Sequence, residues 1–262
     1  MIGKSFFLRL FFFIALLPAL ACAQPPSEIP LPPGRDAQSL LSAFASYTDL
    51  RIGSVQRSLE ILASTAEVRS GKWERMKGLL GAYQKSEDGL IVWYVRPDGS
   101  YDTADKGLMD AKLSDRSYFP DLMAGMKITG ALVVSKSTGQ RSAVIAVPIR
   151  KGGKIIGAIG ASLFLDTLSH QVGSTLDLRP GAAFFAMAPD GLTTLHSRTD
   201  RHFLDPRELG SETLKKAANE MLAGTAGEVS YEFDNATKTA LYRTSLLTQW
   251  KFVLTFSPAA QK

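Results

Sequence analysis

Residues 89–103 read GLIVWYVRPDGSYDT, and residues 182–196 read AAFFAMAPDGLTTLH. Each is an apolar strand, a Pro-Asp-Gly turn and a short returning strand. Proline presets the first turn residue and glycine accepts the positive φ that follows. Working outward from the first hairpin, the sequence predicts a short helix over 117–126 and strands near 131–135 and 142–149. A Lys-Gly-Gly-Lys turn at 151–154 leads into a strand over 155–165. Outward from the second hairpin it predicts a helix over 211–222, a strand over 228–233, a turn over 235–238, and strands over 239–245 and 250–256. A hairpin, a helix and three consecutive strands thus occur twice, the signature of an internal repeat. Sequential antiparallel strands with segregated helices define an α+β class. One continuous sandwich with coincident turns is the alternative.

Upstream, Leu41, Phe44, Thr48, Val55, Leu59 and Leu62 recur at three- and four-residue spacing, predicting one long helix. Asp36 is its expected N-cap and Gly71 its expected end, giving a rod of about 45–50 Å at ~1.5 Å per residue. A second helix is expected over 73–84. Residues 24–34, QPPSEIPLPPG, carry prolines that favour an extended tether or plain disorder. Before them, Lys4, Arg9, the apolar run 10–17 and Ala19-Leu20-Ala21 form a secretory leader over 1–23. An uncleaved anchor is the alternative. Cys22, the single cysteine, is either removed, left on a released chain or lipidated. The expected divisions are leader 1–23, tether 24–35, helices 36–88, first module 89–176, second module 177–257 and tail 258–262.

The composition is 45% hydrophobic and 21% charged, an ordinary globular balance. The formal charge of +5 falls to +3 once Lys4 and Arg9 leave, too mild to imply nucleic acid. His170, His196 and His202 lack helical metal spacing, and no nucleophile-elbow motif is present. Gly153, Gly157 and Gly160 fall inside a predicted strand, where glycine serves close packing or a bulge rather than phosphate binding. Nothing selects a pair of carboxylates for acid–base work. No cofactor and no metal are implied, and the expectation is a non-enzyme.

Four segments carry a family resemblance: DRSYFPDLMAG (115–125), SKSTGQ (135–140), AVIAVPI (143–149) and GKIIGAIGASLFLD (153–166). In this order they resemble the membrane-distal module of double Cache domains, PAS-like extracytoplasmic sensors. WKFVLTF (250–256) is similar to the end of their membrane-proximal module. The resemblance spans about 36–257 and implies a long helix backing two PAS-like modules, with a ligand pocket in the distal one. It places Arg116 where amino-acid-binding members hold the ligand carboxylate, a role that suits a guanidinium fork. Tyr118 and Phe119 fall where the aromatic partners stand, and Ser135 lies in the SKSTGQ segment. The position that binds the ligand ammonium in those members is Ser162 here, without charge, and a tyrosine of the motif is replaced near Ala111. That departure points to a non-amine carboxylate or a neutral metabolite. Trp93 and Tyr101, on the first hairpin, are further candidate walls, with core packing the rival role.

Family members usually continue into a membrane helix and a signalling domain; this sequence shows neither. The expectation is therefore a periplasmic small-molecule sensor acting through a separate membrane-bound partner, itself at the membrane only through Cys22 or an uncleaved leader. A non-catalytic envelope scaffold with a filled pocket is the alternative. A periplasmic hydrolase stands third, and requires a nucleophile–base pair in a cavity.

Overall fold

The computed structural model describes residues 33–257. The expected leader, Cys22, nearly all of the tether and the tail lie outside them. Helix α1 (Pro33–Ser64) opens the fold. It is helical from the first described residue, which leaves Asp36 within the helix instead of at its cap. Its 32 residues make a rod of about 48 Å. It also ends before Gly71. Thr65 turns extended (ψ 154°) and its hydroxyl accepts the Val68 amide, starting the one-turn helix α2 (Ala66–Arg69). Helix α3 (Trp73–Lys85) follows.

The first sheet contains β1 (Leu90–Val95), β2 (Ser100–Thr103), β3 (Gly107–Lys112), β4 (Ile128–Val134), β5 (Arg141–Lys151) and β6 (Lys154–Phe164). Their order is β3-β2-β1-β6-β5-β4, every pair antiparallel. Helix α4 (Phe119–Met123) lies between β3 and β4 and is shorter at both ends than the expected 117–126. Helix α5 (Leu165–Leu176) then leads to the second sheet: β7 (Ala182–Met187), β8 (Thr193–His196), β9 (Ala226–Phe233), β10 (Ala236–Thr244) and β11 (Lys251–Phe256). Its order is β8-β7-β11-β10-β9, the pattern of the first sheet without the extra edge strand β3. Helix α6 (Glu212–Ala223) starts at Ser211, whose hydroxyl accepts the Leu214 amide at 3.2 Å. The β9–β10 turn needs only Asp234 and Asn235, at φ 52° and 58°, where four residues were expected. Two consecutive left-handed residues match the twist of a tight hairpin.

Side-chain alternation along the strands gives each sheet two buried faces. From β1, Leu90, Val92 and Tyr94 enter the large core shared with α1, while Trp93 and Val95 face a smaller cluster under α4. From β7, Phe184 and Ala186 enter the same large core, where Phe184 meets Phe44 of α1 edge-on at 5.0 Å. Phe185 and Met187 face a third cluster under α6. The long helix thus joins both sheets by one face, and the opposite face of each sheet is left to its own cap.

Candidate functional site

A small cavity lies between the first sheet and the segment that carries Arg116. Trp93 from β1, Tyr101 from β2 and Ser162 from β6 line its floor. Arg116 and Tyr118, just before α4, form one wall, and Ser135 after β4 forms another. Six of the seven side chains expected there therefore converge. Phe119 does not line the cavity; it packs with Leu122 in the cluster beneath α4. Leu113, Val133, Lys136 and Ser137 complete the lining. Lys136 was legible only as part of SKSTGQ, with nothing to distinguish it from a solvated lysine. Its ammonium holds the Asp115 carboxylate at 2.6 and 2.7 Å and the Lys112 carbonyl at 2.6 Å.

The floor depends on a glycine. Trp93 pairs with Gly160 across β1 and β6, and a Cβ on Gly160 would stand 2.3 Å from the indole. The indole therefore lies flat over the strand and donates its N–H to Ser162 Oγ at 3.2 Å. Gly157, at φ 146° against the Val95 carbonyl, and Gly160 thus serve close packing in β6, whereas Gly153 lies in the turn before the strand, at φ 79° with nothing within 4 Å. The flat indole fills most of the hollow. The volume left is about 20 Å³, enough for about one water molecule.

Arg116 Nη2 donates to the Val134 carbonyl at 2.7 Å, which fixes the guanidinium across the cavity mouth. Its Nε and the Tyr101 hydroxyl are buried without a hydrogen-bond partner. Burial raises the pKa of Tyr101 and Tyr118 despite the opposing field of Arg116, so both phenols stay neutral. No acidic side chain lines the cavity. The arrangement offers a guanidinium and a phenol to an acceptor, and no counter-charge to an ammonium.

One constellation escaped the sequence. His202 is fully buried, shares its Nδ1 proton with Asp166 at 2.8 Å, and meets Ser169 Oγ through Nε2 at 3.0 Å. This is the connectivity of an acid–base–nucleophile relay. However, Ser169 is only 3% exposed, and its Oγ accepts the His196 amide at 3.3 Å. The relay ties α5 to β8 and to the loop carrying His202. Residues 33 apart in sequence gave no signal for it. Among the described residues, no group of three or more His, Cys, Asp or Glu is placed to hold a metal.

No protein-family model matches the chain, and no curated protein does. Solved structures do. The extracellular domain of a chain assigned as a histidine kinase, rpHK1S-Z16, superposes with a TM-score of 0.72 at 19% identity, covering 86% of this chain and 94% of that one. The extracellular domain of a second such kinase, mmHK1S-Z2, gives 0.64 at 18% identity, over 86% and 96%. The sensory domain of the Campylobacter jejuni chemoreceptor Tlp3, solved with isoleucine bound, gives 0.62 at 17% identity, over 86% and 92%. The fold is that of extracellular sensor domains. The long helix and two successive antiparallel sheets agree with the architecture that the double Cache resemblance implies.

Proposed function

We propose that this chain is a periplasmic small-molecule sensor module that binds its ligand in the first sheet's cavity and signals through a separate membrane-bound partner. The ligand is a non-amine carboxylate or a neutral metabolite, with Arg116 and Tyr101 as its polar contacts and Trp93, Tyr118, Ser135 and Ser162 as walls. One observation carries this reading: Arg116 Nε and the Tyr101 hydroxyl, both on cavity-lining residues, are buried without a partner. Unpaired buried polar atoms cost about 1–3 kcal/mol each, and an incoming acceptor recovers that cost. The lack of any lining carboxylate supports a ligand without an ammonium group, in contrast to the isoleucine held by Tlp3. A hollow of about 20 Å³ requires the segment around Arg116 to move outward on binding. Such a movement, favoured by ligand, is also the means of biasing a partner. Fold similarity to kinase and chemoreceptor domains supports the receptor context and a non-catalytic role.

A second reading is favoured by that same small volume: an envelope scaffold whose pocket is filled by Trp93. A thermal-shift screen of monocarboxylates, dicarboxylates, amines, nucleobases and sugars separates the two. A sensor gains about 2.7 kcal/mol at a hundredfold excess over Kd, several degrees in Tm. No shift with any class, together with a stable association with envelope proteins, establishes the scaffold.

A further inference from the structure

The second module holds a cavity of about 200 Å³, ten times that of the first. It occupies the corresponding place on the repeat. In β1 and β6, Trp93 pairs with Gly160 and Ile91 with Ser162; in β7 and β11, Phe185 pairs with Val253 and Ala183 with Thr255. Phe185 therefore stands where Trp93 stands, and Thr255 where Ser162 stands. Val253 has a side chain where Gly160 has none, so no ring can lie flat over that strand. Phe185 instead stacks on His196 at 6.0 Å. The space that the indole takes in the first module is thereby left open in the second.

The lining suits a particular ligand chemistry. Phe185, Leu214, Tyr231 and Phe233 make an apolar interior, and Leu204 stands 40% exposed at the edge. Tyr231 is pushed up to about 12 by burial, opposed by the neighbouring Thr255 hydroxyl, so it is neutral. The charges lie at one side. Arg198 is held by Asp200 at 2.9 Å, and Asp234, the one carboxylate among the lining residues, also acts on it, against the three cations Arg198, Arg201 and Lys238. Among the described residues, Arg201 lies over the Phe233 ring at 5.7 Å without an ion-pair partner, and Lys238 donates to the Ser257 hydroxyl at 2.8 Å. The net charge at the mouth is positive. His196 adds a neutral donor: its Nδ1 accepts the Arg198 amide at 2.8 Å, which leaves the proton on Nε2.

We infer that the second module is an independent binding site for a small apolar monocarboxylate, its hydrocarbon body against Phe185 and Leu214 and its carboxylate at Arg201. An apolar cavity of about 150 Å³ accommodates benzene, so this one suits a single ring or branched chain carrying a carboxylate. The inference does not rest on the first cavity.

Phenylacetate titrated into the full chain by calorimetry tests it, with phenylacetamide as the neutral counterpart. Saturable binding is expected, weakened roughly tenfold or more by Arg201→Gln, which removes a charge-assisted contact from a half-exposed side chain. Ala183→Leu, which fills the cavity from β7, is expected to abolish it. Arg116→Gln is expected to leave the affinity within about twofold, since distant sites act independently. Circular dichroism checks that each variant is folded. Absence of binding at roughly millimolar phenylacetate, equal binding of phenylacetamide, or insensitivity to Arg201→Gln overturns the inference. Loss of binding in Arg116→Gln alone assigns phenylacetate to the first module, overturning the second site while supporting the sensor reading.

Discussion

Replacing Gly160 by alanine tests the packing that sets the size of the first cavity. The new Cβ would stand 2.3, 2.5 and 2.8 Å from three atoms of the Trp93 ring. The ring is only 3% exposed and its N–H is committed to Ser162. A contact at these distances requires the indole to shift by about an ångström. The free space on the cavity side, about 20 Å³, is too small to receive it without displacing Tyr101 or Tyr118. Overpacking of this kind costs about 1–3 kcal/mol. The internal control is Gly78→Ala, at an exposed position within α3 where an added Cβ meets nothing within 4 Å. That change stabilises by about 0.8–1 kcal/mol through helix propensity alone. Urea denaturation of both variants, followed by Trp fluorescence and circular dichroism, reads the two signs. Adding Trp93→Phe to Gly160→Ala restores much of the loss, as a coupled pair should. Wild-type stability of Gly160→Ala would refute the claim that the flat indole fills the cavity.

Other expectations follow from the buried histidines. Burial, reinforced by Arg201, His202 and Arg198 and opposed by Asp200, lowers His196 to about 4. The unfolded chain therefore takes up a proton that the folded chain refuses between about pH 6.5 and 4. Stability is full above that window and falls on acidification through it, by on the order of 3 kcal/mol. His202, shifted the same way by burial, adds to the slope, while Asp49, raised by burial, opposes it. In His196→Gln the pH dependence of the urea midpoint flattens; an unchanged slope contradicts the assignment. His202→Ala removes the imidazole that joins Asp166 to the Ser169 hydroxyl and opens a void, costing about 3 kcal/mol by denaturant titration. If the relay is structural, p-nitrophenyl esters turn over no faster with the wild type than with Ser169→Ala.

Much of the architecture was legible because the hairpins announce themselves chemically. Pro97-Asp98-Gly99 and Pro189-Asp190-Gly191 fix two turns, and the runs beside them are too rich in branched and aromatic residues to be anything but strands. Strand β3 was not legible: its burial alternates between half-buried and exposed, and Gly107-Leu-Met-Asp-Ala-Lys has no β-branched residue. Helix α5 was missed although Leu165, Leu168, Val172 and Leu176 repeat at helical spacing, because it follows β6 without a capping side chain to mark the change. The cavity residues came from the family resemblance, and geometry brings six of them together. What no sequence pattern revealed was volume. A single Gly160 lets Trp93 close the first pocket, while Val253 at the corresponding place leaves the second open. That difference is one of packing between strands 67 residues apart in the first sheet, which linear order does not display.

The most direct test is calorimetric titration of the carboxylate that gives the largest thermal shift into the full chain and into Arg116→Gln. If the guanidinium holds the ligand, affinity falls at least tenfold in the variant while its urea midpoint stays near that of the wild type. Equal affinity for both proteins would place the carboxylate elsewhere and remove the basis for the first-module site.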